Sequence, residues 1–162
     1  MMLGHVGLAV SIIGIAMVQN YSIERDVRLA PGEHYQIQGY DFYFKGLRDK
    51  DGPNYDGYIA DFEIKLDGKY VNTLHAEKRF YRTARSMMTE AAIDRGVTRD
   101  LYIAMGERLD DNKSWAVRIY YKPFVRWIWA GSLLMALGGA IAISDKRYRF
   151  RKKVRRSRRH NE

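Results

Sequence analysis

The sequence predicts a membrane protein in which two transmembrane α-helices flank an all-β domain, small-barrel or sandwich-like, held outside the cytoplasm. Three observations carry this. Met1 to Tyr21 contains no Asp, Glu, Lys or Arg, and Trp127 to Ser144 is a second uncharged run. Between them lie segments in which apolar and polar residues alternate, the period of a half-buried strand. The charge is also unevenly placed: residues 24–122 hold 17 basic and 17 acidic side chains, whereas Lys146 to Arg159 holds ten basic and no acidic ones.

The first span, residues 1–21, is about 30 Å long as a helix, the thickness of a bilayer core. It lacks the basic leader and the A-x-A site of a cleaved signal. It begins abruptly, as if a preceding segment had been cut away. The second span, residues 124–144, is flanked by Arg126, Trp127 and Trp129, the aromatic belt expected at an interface. The basic tail, residues 145–162, fixes orientation, because Lys and Arg beside a span favour the cytoplasm. The C-terminus is therefore expected inside, facing anionic lipid, and residues 22–123 outside. In a bacterium these are the cytoplasmic and periplasmic faces of the inner membrane. The net charge of +9 belongs to that tail, so no nucleic-acid partner is expected. The chain has no cysteine, which excludes disulfides and Cys-based metal sites.

From Glu33 to Tyr121 the chain reads as β-rich. Tyr40 to Gly46 alternates with Phe42 and Phe44 on one face. Tyr58 to Leu66 sets Phe62, Ile64 and Leu66 against Asp61, Glu63 and Lys65. Asp67-Gly68 is a hairpin signal, since both residues tolerate positive φ, and Tyr70 to His75 returns. Asp100–Gly106 and Ser114–Tyr121 follow, the latter with Trp115, Val117, Ile119 and Tyr121 on one face. Met87–Ile93 fits a helical turn or a strand. Gly52-Pro53-Asn54 and Asp110-Asp111-Asn112 read as loops.

No nucleophile elbow, P-loop or HExxH is present. His5 is the one ionisable group inside a span, where such residues are costly and are functional candidates. Gly4, Gly7, Ser11 and Gly14 form a small-residue face that admits a second helix or a flat cofactor. A neutral imidazole beside it can ligate haem iron; the alternative is a histidine at the cytoplasmic interface, hydrated or hydrogen-bonded to a neighbour. His34 and His75 read as ordinary strand or surface residues, and His160 belongs to the tail. Glu77, Glu90, Asp94 and Asp100 alternate with Lys78, Arg79, Arg95 and Arg99. They read as surface or loop salt bridges, or, more sharply, as a protein-docking surface.

The ordered motifs His5–Ala9 (HVGLA), Gln19–Arg28 (QNYSIERDVR), Asp51–Tyr55 (DGPNY), His75–Arg79 (HAEKR) and Met88–Asp94 (MTEAAID) continue into Thr98–Tyr102 (TRDLY), Leu109–Asp111 (LDD), Trp115–Arg118 (WAVR) and Lys122–Trp129 (KPFVRWIW). Together they resemble the C-terminal part of the CcmF family, the large membrane subunit of the bacterial cytochrome c maturation haem lyase, with NrfE as a paralogue. The resemblance runs over nearly the whole chain up to Arg149. It implies a role in moving haem from the haem chaperone CcmE to apocytochrome c, with a CcmH-type thiol subunit as a further partner. It also implies a separate membrane haem b, for which His5 matches the second axial ligand and so takes a place on the iron. The family's tryptophan-rich WWD segment, its two flanking histidines and the first axial histidine have no counterpart here. The resemblance therefore implies a fragment or split half that needs the N-terminal portion to bind haem, that acts as lyase only within the assembly, and that offers no catalytic residue of its own. The alternative is a non-catalytic periplasmic docking or scaffold module of the maturation complex.

Overall fold

The computed structural model describes residues 2–109 and 114–144. The Asp110–Asn112 loop and the basic tail lie outside the described residues. The chain forms two compact units, one of helices and one spanning residues 21–123.

The helical unit holds α1 (Met2–Tyr21) and α2 (Val125–Ser144), each of 20 residues. Both are apolar around most of their circumference, with Ile12, Leu133 and Ile141 exposed. Helices of this length and composition fit a lipid solvent rather than water. The two pack antiparallel through their smallest residues: Gly7, Ser11 and Gly14 of α1 are buried, as are Gly131 and Gly138 of α2. The approach is backbone to backbone. A Cβ on Gly7 would stand 2.6 Å from Gly131 O and 2.7 Å from Met135 N, and one on Gly138 would stand 2.7 Å from Gly4 N. Ser11 Oγ closes the seam by donating to Ile128 O at 3.2 Å.

The other unit is a β-sandwich, which decides between the two all-β alternatives. One sheet has the order β2-β3-β4-β5-β6, the other β1-β9-β8-β7. In chain order the strands are β1 (Ile23–Leu29), β2 (His34–Ile37), β3 (Tyr40–Asp51), β4 (Tyr55–Leu66), β5 (Lys69–Tyr81), β6 (Ser86–Glu90), β7 (Ala92–Arg95), β8 (Arg99–Arg108) and β9 (Trp115–Pro123). All pairings are antiparallel. The core is what the alternation selects: Phe42, Phe44, Phe62, Ile64, Leu74, Leu101, Ile103, Val117 and Ile119 are buried between the sheets. Phe44 and Phe62 stack at 4.9 Å. Asp67 and Gly68 both take positive φ in the β4–β5 turn, and Gln38-Gly39 makes the matching tight turn between β2 and β3.

Several strands outrun the sequence signal. β1 carries Glu24, Arg25, Asp26 and Arg28 and shows little alternation. Glu24, Asp26 and Arg28 face outward, whereas Arg25 shares the inward phase of Ile23, Val27 and Leu29 opposite Ile119 and is exposed nonetheless; Arg118 forks onto Asp26 at 2.6 and 2.9 Å across the β1–β9 pair. Met87–Ile93 proves to be strand on both sides of Ala91. There the chain leaves one sheet and enters the other, a corner that joins the two layers.

Candidate functional site

α1 places His5 one residue after Gly4, near its N-terminal end. At about 100° per residue, His5 stands about 150° around the helix from the Gly7–Ser11–Gly14 seam. It is exposed, and so are Ala9, Ile12 and Ala16 on the same side. The small-residue face that suited either a helix or a flat cofactor is thus taken by α2. The imidazole looks the other way, across a wall of small and branched apolar side chains.

The helix register also fixes the depth of His5. Gly4 faces Gly138 and Gly7 faces Met135, which sets His5 level with Leu137. From there α2 runs on without charge to Ser144, about 10 Å further at 1.5 Å per residue. His5 is therefore flanked by apolar helix on both sides along the axis. Neither helix carries a second histidine.

In the sandwich, His34 stacks on Tyr43 at 4.7 Å. His75 Nδ1 donates to Asp61 Oδ1 at 2.6 Å, because an ionised carboxylate can only accept. Arg48 forks onto the same carboxylate at 2.6 and 2.9 Å. That fork holds the Asp61 carboxyl below its ordinary range; partial burial opposes it and His75 assists. A carboxyl depressed in the folded state stabilises the fold above its unfolded pKa of about 3.9, and the contribution is lost as pH falls through the lower folded value. Thermal melts of the full chain in detergent should therefore fall below about pH 4, and Asp61→Asn should flatten that dependence while lowering the plateau near neutrality.

The interleaved charges divide in two. Glu77 accepts from Lys50 at 2.7 Å and from Arg79 at 2.8 Å, ordinary partly shielded pairs. Others are not at the surface. Arg99 pairs with Asp94 and lies over the Tyr40 ring, whose hydroxyl accepts from its Nε at 2.9 Å. Asp100 is 5% exposed and accepts from Gly96 N. Lys78 is 3% exposed and donates to Gly106 O at 2.8 Å and Glu107 Oε1 at 2.6 Å. Sequence reading missed these because a strand's phase does not reveal where the opposite sheet ends. The one available signal was that Lys78 continues the phase of the apolar Leu74 and Ala76. Among the described residues no cluster of three or more His, Cys, Asp or Glu side chains can hold a metal ion.

Comparison with known proteins agrees with this architecture. The model of a family described as the CcmF C-terminal β-sandwich matches residues 20–123. The cytochrome c-type biogenesis protein CcmF of Haemophilus influenzae is 58% identical over 150 residues, covering 93% of this chain and 23% of its own length. CcmF of Escherichia coli is 58% identical over 151 residues with the same two shares. NrfE of Haemophilus influenzae is 35% identical over 143 residues, covering 88% and 22%. A solved structure named cytochrome c heme lyase CcmF shares the fold at a TM-score of 0.69 and 22% identity, over 84% of this chain and 23% of that one. The chain thus spans about a quarter of the length of the curated relatives it matches.

Proposed function

Because the chain belongs to the CcmF family, as the counterpart of its C-terminal portion, we propose that it is the part of a cytochrome c haem lyase that closes one side of a membrane haem b site. His5 supplies one axial ligand. The other comes from the N-terminal portion of the same protein or from a separate subunit. The observation that carries this is the placement of His5: inside the apolar stretch of a helix pair, on the flank that α2 leaves open. A haem b held there supplies a one-electron redox centre. The chain's own contribution is orientation. α2 braces α1 through the glycine seam, and Ala9, Ile12 and Ala16 keep the flank beside His5 apolar, which excludes water from the ligand.

In this reading both helices span the bacterial inner membrane, residues 22–123 form a periplasmic domain and residues 145–162 a cytoplasmic tail on anionic lipid. The partners are the haem chaperone CcmE, a CcmH-type thiol subunit and apocytochrome c. No side chain of this chain serves as acid or base for thioether formation.

The test is co-expression with the N-terminal portion and measurement of the b-type absorption of the purified assembly. His5→Ala should remove it while leaving the amount of assembled protein unchanged. An unchanged spectrum would sink the ligand assignment. The second reading, a docking and scaffold module, is favoured by the extent of the sandwich. It predicts that a chain lacking residues 33–121 keeps the b-type spectrum yet no longer matures cytochrome c.

A further inference from the structure

The five-stranded sheet is longer than the sheet that covers it. Its inner face runs in cross-strand rows. Leu47, Ala60 and Ala76 share one row, and the two alanines there are fully buried. The next row is Asp49, Tyr58, Lys78 and Thr89; the one after is Asp51, Asp56, Phe80 and Met87. The opposite sheet ends at the first of these. Lys78 reaches Gly106 and Glu107, Thr89 Oγ1 donates to Met105 O at 3.1 Å, and Tyr58 lies 6.1 Å from Trp115. Beyond that line no described residue of the four-stranded sheet lies over the rows. Tyr58 is 42%, Phe80 39% and Met87 51% exposed, although their phase is that of the core. They floor a cleft of about 610 Å³ whose wall carries Asp49, Asp51 and Asp56.

Among the described residues this part of the interior face has no second layer, and it carries three carboxylates against one cation, Lys78. Asp56 already pairs with a guanidinium, that of Arg82 at 2.8 Å. Asp49 and Asp51 have no ion-pair partner among the described residues. Four strands at about 4.8 Å spacing make a floor about 15 Å across, the reach of four or five extended residues. Lys or Arg heads would gain from charge-assisted hydrogen bonds to the β3 carboxylates. The geometry points to a docking site for an extended segment of a partner protein that lies across the strands, with Lys or Arg at alternate positions of one half and large apolar residues at alternate positions of the other, because only every second side chain of an extended segment faces the sheet. The apolar side chains cover Tyr58, Phe80 and Met87, and the cations pair with Asp49 and Asp51. The chain's own basic run follows α2 while the domain precedes it, so a membrane spanned by α2 keeps the two on opposite sides. The cleft also lies at the end of the sandwich away from Ile23 and Pro123, where the chain enters and leaves the domain. This inference stands apart from the haem reading of His5.

The experiment uses the full chain in a nonionic detergent. Its probe is a fluorescent heptapeptide Lys-Ser-Lys-Ser-Val-Ser-Val, which turns its Lys and Val side chains to one face, followed by anisotropy, with the peptide carrying Glu in place of Lys as comparison. The Lys peptide should bind at least tenfold more tightly than the Glu peptide. Asp49→Asn with Asp51→Asn, and separately Met87→Lys, should each weaken it tenfold or more without shifting the melting temperature. Equal affinity for both peptides, or equal affinity in the wild type and the double variant, overturns the inference. Calcium binding lost in the double variant while the Lys peptide is held unchanged also overturns it, in favour of a cation site.

Discussion

Phe62→Ala should cost the sandwich about 3–5 kcal/mol, the range for removing a fully buried aromatic ring. Phe62 has no exposed surface, stacks on Phe44 and sits in the middle of β4, between β3 and β5. Ala60 and Ala76 on one side of it are too short to reach the vacated volume, which leaves only Phe44, Ile64 and Leu74 of this sheet to close on it. Domains are marginal, with about 5–15 kcal/mol in total, so the variant loses much of its margin. The check is chemical denaturation of the full chain, followed by the emission of Trp115, which lies against the same core. Phe62→Leu keeps most of the volume and should lose less than half as much. If Phe62→Ala unfolds within 1 kcal/mol of the wild type, a loss far below the usual range, the core has been misassigned.

Gly131→Leu should separate the two helices. Glycine there lets α2 approach until Gly7 O, Ser11 N and Ser11 Oγ fill the space a Cβ would need. Two of those three atoms are backbone and cannot rotate away. Association of helices in lipid rests on such packing, since lipid tails offer no hydrophobic drive. The readout is cross-linking. Cysteines introduced at Leu3 and Gly139, level across the seam, are the only thiols in a chain that has none. A bismaleimide spanning the usual helix separation of about 8–10 Å should join them in the wild type. It should fail to do so with Gly131→Leu. The co-expressed assembly should lose b-type absorption as well, because α1 then loses the brace that orients His5. Cross-linking of the Gly131→Leu form at wild-type yield would show that the seam does not hold the pair.

The core strands were legible because Phe42, Phe44, Phe62 and Ile64 repeat at the pleat period, with Tyr43 or Glu63 between them and charges on either side. Asp67-Gly68 announced its turn by residue type alone. β1 was hidden because four of its seven residues are charged and it pairs at a sheet edge, where one layer of contact suffices. The Ala91 corner was hidden because a strand that changes sheets also changes its inward face, which erases the period. Of the helical site, the small-residue face could be read, but not what fills it. Only the register of α1 against α2 assigns that face to α2 and turns His5 outward. The uncovered rows at Asp49–Asp56 were unreadable for a further reason. The Gly46 bulge shifts the phase of β3, so the aspartates seem to change sides relative to Phe42 and Phe44.

The pairing of β1 with β9 has a consequence for synthesis. Leu29 meets Trp115 and Ile23 meets Tyr121, so β1 waits for about 90 residues of chain before its partner exists. At a ribosomal rate of about 5–20 residues per second the wait is about 5–20 s. Meanwhile the β3–β4–β5 hairpins, whose partners are local, can already form. A strand waiting alone is an aggregation hazard, and Glu24, Arg25, Asp26 and Arg28 are the residues that keep this one dissolved until the last strand arrives to close the sheet.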